Sequence, residues 1–286
     1  MERRANIEAP KRVSRKSNKS KTISLGTKKL EFDGPLYGLK LHQNKEFNDY
    51  MEDFSLIINK FMKDDKKHVY CIFDGHGGDS TARICVNSFK DIFEKLCKEN
   101  PLDIDGNFNK LFKEFDEEIK KKGGCPNVGN TATVIYINKN MLNIANVGDS
   151  AAVLVCNDKA FQVTKDDKAT NPDEIQRIEK EGGKVFDERL EGILAISRGI
   201  GDLDLKDKGL STEPHIYKVP IDDKMQFVVV ASDGVWDVMT PHDIYEICRY
   251  DKNPANIVDK IVDESISYGS EDNISCIVIS LKSKDK

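Results

Sequence analysis

The chain has 286 residues, of which 38% are hydrophobic and 33% charged, and its formal net charge is −5. That length can bury a large core, as one large domain or two small ones. No apolar run approaches the roughly 20 residues that span a bilayer, and no signal-peptide pattern follows the start, so we expect an intracellular protein without a transmembrane segment. The seven cysteines are scattered without a CxxC pair, which favours buried free thiols over disulfides or a zinc site.

Residues 1–29 form a basic segment that is poor in hydrophobic residues, and only Glu2 and Glu8 oppose its lysines and arginines. We expect a disordered tail, because such a segment cannot bury enough apolar surface to offset the cost of ordering. It is a candidate for docking a partner, an import receptor or acidic lipid, and a solvated tail without a specific partner is an equal alternative. Residues 30–281 are predicted to form a single domain, and residues 282–286 a charged tail.

The first part of this domain predicts two strands with acidic ends, followed by two helices. Phe54–Ile58 is a predicted strand directly after Glu52 and Asp53, and residues 69–73 form a second strand that runs into Asp74, Gly75 and His76. Apolar residues at 3.6-residue spacing then predict two amphipathic helices. The first is capped by Asp79 or Ser80 and ends just before Pro101, and the second carries its apolar face from Phe108 to Ile119 and stops at Gly123-Gly124. Because a short link joins them, we expect the two helices to pack together on one side of a sheet.

The middle of the chain is rich in predicted strands. Residues 131–137 and 141–147 flank an Asn-Lys-Asn turn and are predicted to form a hairpin, and Asp149 lies in the turn before the next strand, residues 151–155. A helix is predicted to begin at Pro172. The apolar run at residues 192–198 predicts a further strand.

The last third repeats the pattern of a strand that ends in an acidic residue. Residues 226–232 are a predicted strand that runs into Asp233, two helices begin at Pro241 and Pro254, and Asp272 precedes the final strand. Hairpin connections between the strands indicate antiparallel sheets. The sequence therefore predicts an α+β fold, with a central two-sheet antiparallel β-sandwich flanked by helix pairs.

Acidic residues stand at five strand ends, which the sandwich would bring together. Read alone, the Asp74-Gly75-His76 stretch favours a turn with a surface histidine over a functional site. Five or six converging carboxylates would repel one another, and oxygen ligands of this kind favour Mg²⁺ or Mn²⁺. A pair of such ions can activate water and neutralise a phosphoryl group, and a histidine two residues from a bridging carboxylate can protonate the leaving oxygen. The acidic residues are Glu52, Asp53, Asp74, Asp149, Asp233 and Asp272.

Seven short motifs, in order along the chain, resemble those of the type-2C metal-dependent serine/threonine protein phosphatases. The resemblance covers roughly residues 35–281 and implies a β-sandwich flanked by helix pairs, with Mg²⁺ or Mn²⁺ bound at one end. It also implies hydrolysis of phosphoserine and phosphothreonine in proteins. The motifs are MED at 51–53, DGHGG at 74–78, GNTAT at 129–133, NVGDS at 146–150, RLEGILAISRGIGD at 189–202, SDGVWDVM at 232–239 and EDNIS at 271–275.

The resemblance also implies a role for each acidic residue at the site. His76 would be the general acid, a metal-bound hydroxide would attack phosphorus, and the segment at 165–190 would match the variable flap, where substrate selectivity is thought to reside. The metal-site residues would be Asp74 as the bridge between two ions, Glu52 and the Gly75 carbonyl at one ion, Asp233 and Asp272 at the other, Asp53 as a nearby carboxylate that holds metal-bound water, and Asp149 with Asp233 at a weaker third site.

Three positions depart from the family pattern. The arginine that usually binds the substrate phosphate, three residues before the methionine of MED, is Asn48 here, and Lys45 or Lys40 is a candidate to replace it. Losing a charge-assisted contact costs about 1.5–3 kcal/mol. The usual GDSR reads GDSA at 148–151, and the usual DHKP reads DDKA at 166–169.

These features leave three hypotheses for the function. The first is an active, Mg²⁺- or Mn²⁺-dependent phosphatase of phosphoproteins, monomeric, cytoplasmic or nuclear, with no nucleic-acid partner. The second, favoured by Asn48, is a weakly active or inactive protein of the same fold that acts as a binding or regulatory partner. The third, a metal-free structural domain, leaves the converging carboxylates without a counter-ion.

Overall fold

Two five-stranded antiparallel sheets form the centre of the protein, in a computed structural model that describes residues 36–282. The predicted N-terminal tail and residues 283–286 lie outside these residues. The first sheet has the order β1 (Tyr37–His42), β15 (Ile274–Ser280), β14 (Met225–Ala231), β8 (Ala151–Cys156) and β9 (Ala160–Gln162). The second has the order β13 (His215–Pro220), β7 (Met141–Val147), β6 (Ala132–Asn138), β3 (Lys67–Phe73) and β2 (Phe54–Ile58).

The central strands of both sheets are buried on both faces, which β3 illustrates. Tyr70 and Ile72 pack into the core between the two sheets, whereas Val69, Cys71 and Phe73 pack into a second core on the opposite face. Since alternate side chains of a strand point to opposite faces, a strand covered on both sides is apolar throughout. Each such side chain contributes about 1.5–3 kcal/mol by its burial.

A pair of helices covers the outer face of each sheet, so the predicted α+β sandwich is confirmed. The helices start at recognisable caps: the Asp103 side chain accepts the Gly106 N–H at 2.9 Å, and Thr240 and Asp243 form a capping box. The pair on the second sheet is α1 (Ser80–Glu99) and α2 (Ile104–Lys121), and the pair on the first is α5 (Pro241–Tyr250) and α6 (Pro254–Ser267).

The segment between β9 and β13 is built from a helix and a short hairpin. α3 (Pro172–Lys180) begins at Pro172 as predicted, and β10 (Val185–Phe186) pairs with β11 (Arg189–Leu190). The predicted strand over residues 192–198 is wrong, because this run makes only isolated bridges and has no continuous partner. A short apolar run supports a strand only where a neighbouring strand pairs with it.

Short elements complete the end of the sandwich where strands β3 and β14 finish. A small three-stranded sheet has the order β12 (Ile200–Gly201), β5 (Gly129–Asn130) and β4 (Gly75–His76). Leu203–Lys208 is a 3-10 helix, and α4 (Asp233–Trp236) is a single helical turn. A second 3-10 helix, Phe61–Lys63, lies at the opposite end, in the connection from β2 to the start of β3. None of the helices in the described part of the chain combines the length and apolar character needed to cross a bilayer.

Candidate metal centre

Two of the predicted acidic sites meet where β2 begins and β3 ends. In this antiparallel pair Phe54 lies opposite Phe73, which brings Asp53, just before β2, beside Asp74, just after β3. The neighbouring Glu52 lies at the same edge, and its carboxylate accepts a hydrogen bond from the backbone N–H of Gly78. The register of one strand pair therefore assembles three of the predicted carboxylates.

The other three acidic residues come from the first sheet. Ala231, the last residue of β14, lies opposite the start of β8 and opposite Cys276 of β15. Asp233 therefore stands beside the turn that carries Asp149 and beside Asp272, which precedes β15. The structure brings all six predicted acidic residues to one end of the sandwich, as their electrostatic effects on one another show.

The centre of this group is strongly unfavourable for negative charge. Burial raises the pKa of Asp74 well above its usual value, and the carboxylates of Asp233, Asp53, Asp149 and Asp272 raise it further. The pKa of Asp233 is raised in the same way, first by burial and then by its acidic neighbours. Carboxyl groups this close together cannot all be ionised unless a cation lies between them; without one, some of them bind protons.

The pKa values of Asp53 and Asp149 are each raised to about 6, mainly by burial. The hydroxyl groups of Ser275 and Ser232 partly oppose this effect on the pKa of Asp53, and the positive charge of Lys168 partly opposes it on the pKa of Asp149. In the unfolded chain these carboxyls have an ordinary pKa near 4. Without a cation, the folded protein therefore binds protons at this site more tightly than the unfolded chain does.

This difference predicts that the metal-free protein loses stability as the pH rises. A carboxyl whose pKa is raised from 3.8 to about 6 on folding stabilises the fold below pH 3.8, and that stabilisation disappears as the pH rises to 6. For Asp53 alone the loss is about 3 kcal/mol. In chelator, chemical unfolding should show about 2 kcal/mol of this fall between pH 4.5 and pH 6.5, and saturating Mn²⁺ should remove it.

Asp53→Asn provides the control for this measurement, because it removes one of the shifted carboxyls and leaves every other titrating group in place. The fall in stability between the two pH values should be smaller in this variant than in the wild type. An equal fall in both proteins would show that Asp53 does not carry the effect.

The oxygen atoms at this end of the sandwich fit hard divalent cations. Asp53 is 3% exposed and its Oδ2 atom makes no hydrogen bond within the described residues, so a buried acceptor is left for another partner. A Cβ atom at Gly75 would lie 2.6 Å from the Glu52 carbonyl oxygen, so only glycine lets these two backbone segments approach. Carboxylate and carbonyl oxygens are the ligands that Mg²⁺ and Mn²⁺ prefer.

Asn273 fixes the loop that carries Glu52. Its Oδ1 atom accepts the Glu52 N–H at 2.7 Å, and its Nδ2 atom donates to the carbonyl groups of Gln43 at 2.9 Å and Tyr50 at 3.1 Å. One side chain beside Asp272 thus ties the loop before β2 to the start of β15. This explains how Glu52, which lies outside the sheets, is held at the site.

The surroundings of Asn48, Lys45 and Lys40, the three positions considered for binding the substrate phosphate, are different. Asn48 donates its Nδ2 hydrogen to the Glu271 carbonyl at 2.7 Å, so it braces the same loop. Lys45 is exposed. Lys40 pairs with Asp263 at 2.7 Å and with Asp259 at 3.2 Å, on α6, so it is engaged elsewhere.

Two charged residues on the Asp149 side of the site received no role in the sequence analysis. Asp237 raises the pKa values of Asp149 and Asp233, after burial in each case, so it is a further carboxylate at this end. Lys168 lies 3.9 Å from Asp237, nitrogen to oxygen, and brings a positive charge to the same side. The sequence signals that could have identified these two residues were the motifs that contain them, SDGVWDVM for Asp237 and DDKA for Lys168.

His76 lies in β4 on the Glu52 side of the carboxylates and lowers the pKa of Glu52, although burial raises that pKa more. Its Nε2 atom is 2.7 Å from Oδ2 of Asp202. Asp202 is the last residue of the RLEGILAISRGIGD motif and was given no role in the sequence analysis. The predicted general acid therefore has a buried carboxylate partner.

A second cluster of possible metal ligands, formed by Asp167, Glu174 and His215, lies outside this centre. Two arginines already neutralise it: Arg177 and Arg198 bind the Glu174 carboxylate at 2.7 and 2.9 Å. A divalent cation would have to displace a guanidinium group or lie beside it. We therefore assign this cluster to the packing of α3 against the sandwich.

The same cluster is connected to the turn that carries Asp149. The N–H of Gly148 donates to Oδ2 of Asp167 at 3.1 Å, and the N–H of Asp167 donates to the Gly148 carbonyl at 3.0 Å. Asp167 also lies 2.9 Å from Nε2 of His215. The aspartate that replaces the usual histidine of DHKP thus has a histidine partner on β13.

Comparisons with known proteins agree on one family. The family model described as "Protein phosphatase 2C" matches residues 37–274. "Probable protein phosphatase 2C 44" of Oryza sativa subsp. japonica is 34% identical over 261 residues, which cover 89% of this chain and 80% of that protein. "Probable protein phosphatase 2C 11" of Arabidopsis thaliana is 38% identical over 215 residues, covering 73% of this chain and 57% of that protein.

Solved structures share the fold. The structure of a C. elegans sex determining protein has a TM-score of 0.79 and 24% identity, over 87% of this chain and 65% of that one. The crystal structure of serine-threonine phosphatase 2C from Toxoplasma gondii has a TM-score of 0.74 and 20% identity, over 87% of this chain and 96% of that one.

Proposed function

The chain belongs to the protein phosphatase 2C family, and from this we propose that it hydrolyses phosphoserine and phosphothreonine in proteins with two Mg²⁺ or Mn²⁺ ions at its acidic end. The family itself is one of metal-dependent serine/threonine protein phosphatases. The carboxylates around Asp74 support the proposal most directly, because they raise one another's pKa values inside a partly buried site. That arrangement is costly unless cations are held there.

The ligands divide into two sets around Asp74. We assign Asp74 to both ions, as the family resemblance implies, and it faces carboxylates from both sides of the centre, Asp53 on one and Asp233 on the other. Glu52 and the Gly75 carbonyl lie on the β2–β3 side, and Asp233 and Asp272 lie on the side of the first sheet. Asp53 supports the centre from a buried position, and Asp149 with Asp233 forms a weaker third site.

Bound ions of this kind activate water for attack on phosphorus and neutralise the phosphoryl oxygens. The chain's own contribution begins with His76, which we assign as the general acid. Its ring is half-buried beside Glu52, so it borders the centre without being a ligand in the assigned sets. It would donate a proton to the serine or threonine oxygen as the bond to phosphorus breaks.

The alternative of a weakly active or inactive binding protein depends on Asn48. The Asn48 amide is neutral, so it offers no positive charge to a substrate phosphate, and its N–H group already donates to the Glu271 carbonyl. A missing charge-assisted contact weakens substrate capture by about 1.5–3 kcal/mol, and it leaves the carboxylates intact. We therefore expect a raised KM and preserved chemistry.

Turnover by the full-length chain tests the proposal. With Mn²⁺ the purified protein should release phosphate from a phosphothreonine peptide, and excess chelator should abolish the release. Calorimetry should show Mn²⁺ binding under the same conditions. Metal binding without turnover would favour the binding protein, and neither metal binding nor turnover would favour the structural domain.

A further inference from the structure

We propose that Asp202 is a positioning residue that orients the His76 ring and fixes which of its nitrogens faces the substrate. This inference rests on the proposed function, in which His76 is the general acid. The proposed role of Asp202 concerns proton donation by His76, and metal binding at the site does not depend on it.

The contact itself determines the position of one hydrogen atom. Nε2 of His76 lies 2.7 Å from Oδ2 of Asp202, which is a full hydrogen-bond distance. A carboxylate oxygen only accepts, so Nε2 must carry the hydrogen. The other ring nitrogen, Nδ1, is then the one that can carry a proton to the leaving oxygen. The hydrogen bond to Asp202 holds the ring in an orientation in which Nδ1 faces the substrate.

The small three-stranded sheet holds the two residues in place. Its middle strand, β5, places Gly129 opposite His76 on one side and opposite Gly201 on the other. A Cβ atom at Gly129 would lie 2.7 Å from Nε2 of His76 and would overlap the Asp202 carboxylate. The absence of a side chain at position 129 is therefore what allows the contact across the sheet.

The backbone at Asp202 is set for this contact. Its φ of 43° and ψ of 50° lie in the left-handed region, which asparagine and aspartate tolerate better than other residues with side chains. Its N–H donates to the Val128 carbonyl at 2.9 Å, and the residue is 1% exposed. The carboxylate is thus buried and fixed next to the histidine, with little freedom to turn away.

A buried ion pair supports the strand that precedes Asp202. Asp116 accepts the Gly201 N–H at 2.8 Å and pairs with Nζ of Lys206 at 3.0 Å. Lys206 also donates to the Gly199 carbonyl at 2.8 Å and faces the Asp202 carboxylate. Asp202 therefore lies between two basic side chains: His76, which borders the metal centre, and Lys206, which lies further from it.

Asp202→Asn tests the role, because asparagine has the same size and tolerates the same backbone conformation. With Mn²⁺ saturating, kcat for a phosphothreonine peptide should fall on the order of 10- to 100-fold, because the alkoxide leaving group needs a proton. The kcat for p-nitrophenyl phosphate, whose nitrophenolate leaves without one, should change by less than about threefold. Asp207→Asn, at an exposed position on the 3-10 helix that directly follows Asp202, should behave as the wild type on both substrates.

His76→Gln separates this inference from the proposed function. If His76 is the general acid, this variant shows the same peptide-selective loss, and the double variant His76→Gln/Asp202→Asn loses little more than either single one. A selective loss in His76→Gln with none in Asp202→Asn would overturn the inference and leave the proposed function standing. No selective loss in His76→Gln would overturn the proposed acid, and the inference with it.

An equal loss of activity on both substrates in Asp202→Asn would also overturn the inference, because it would show that Asp202 only supports the architecture of the site. Nuclear magnetic resonance of the His76 ring in the metal-free protein gives a readout independent of turnover. The wild type should show the hydrogen on Nε2, and Asp202→Asn should lose this preference. An unchanged ring tautomer would contradict the proposal.

Discussion

Replacing Asp74 with asparagine is expected to lower kcat/KM with Mn²⁺ by about 1000-fold or more and, at the same time, to stabilise the metal-free protein. The loss of activity follows because Asp74 faces four other carboxylates and is the assigned ligand of both ions. The gain in stability follows because the folded metal-free protein holds this charge at a cost, which an amide avoids. We expect a gain on the order of 1 kcal/mol in the free energy of unfolding.

Peptide turnover with saturating Mn²⁺ and chemical unfolding in chelator at pH 7 measure the two effects. Asp91→Asn, at an exposed position on α1, removes one carboxylate elsewhere and should change neither. The critical result is that activity falls while stability rises, since replacing a residue needed only for folding would lower both. An Asp74→Asn variant that is less stable than the wild type in chelator would contradict the interpretation.

Glu174→Gln is expected to destabilise the protein by about 3–5 kcal/mol, because it removes the shared partner of two arginines. Burial alone would raise the pKa of Glu174, but the hydrogen bonds from Arg198 and Arg177 outweigh it and lower that pKa to about 2. The folded state therefore strongly favours the ionised carboxylate. An uncharged glutamine would leave Arg177 with only the exposed Glu181, and Arg198 with only the more distant Asp167 at 3.7 Å, as counter-ions among the described residues.

Glu181→Gln is the matched control, since Glu181 binds the same Arg177 at 3.1 Å from an exposed position on the next helical turn. It should cost no more than about 1 kcal/mol. Unfolding at pH 7 with Mn²⁺ present compares the variants, and equal costs would show that the buried ion pairs add nothing. Because the pKa of Glu174 is lowered, its stabilising effect should disappear below about pH 4.5, as the pH falls towards 2.

The acidic end of the sandwich was predictable because strand ends are visible in a sequence. Apolar runs that stop at an aspartate, as before Asp74 and Asp233, mark the places where chains leave a sheet. Their arrangement into sheets followed from the hairpin connections. The assignment of Asp74 as a bridging ligand required the family resemblance, and it stays a prediction until metal binding is measured.

The partner of His76 was not predictable from spacing. Asp202 lies 126 residues further along the chain and follows a glycine in a stretch without periodicity. It reaches His76 only because β12, β5 and β4 form a small sheet of two-residue strands. Strands this short leave no alternating pattern in the sequence.

The ion pairs around Glu174 were missed for a related reason. The sequence shows Glu174 and Arg177 three residues apart, which is a common surface pattern on a helix. Arg198 and the backbone at Gly209 make this face buried, and neither is close to α3 in sequence. The predicted strand at residues 192–198 failed similarly, since its pairing partners, such as Lys168 and Ser211, are single residues.

The position of β15 between β1 and β14 has a consequence for how the protein is made. Among the described strands β15 is the last in the chain, whereas its neighbour β1 is the first. Until residues 274–280 leave the ribosome, β1 has no partner in the first sheet and β14 lacks a partner along one edge, and exposed strand edges favour aggregation. Asp272 and Asn273 arrive with β15, so the acidic centre of the nascent chain is incomplete until this strand is made. Chains that terminate early would lack both a closed first sheet and a complete centre.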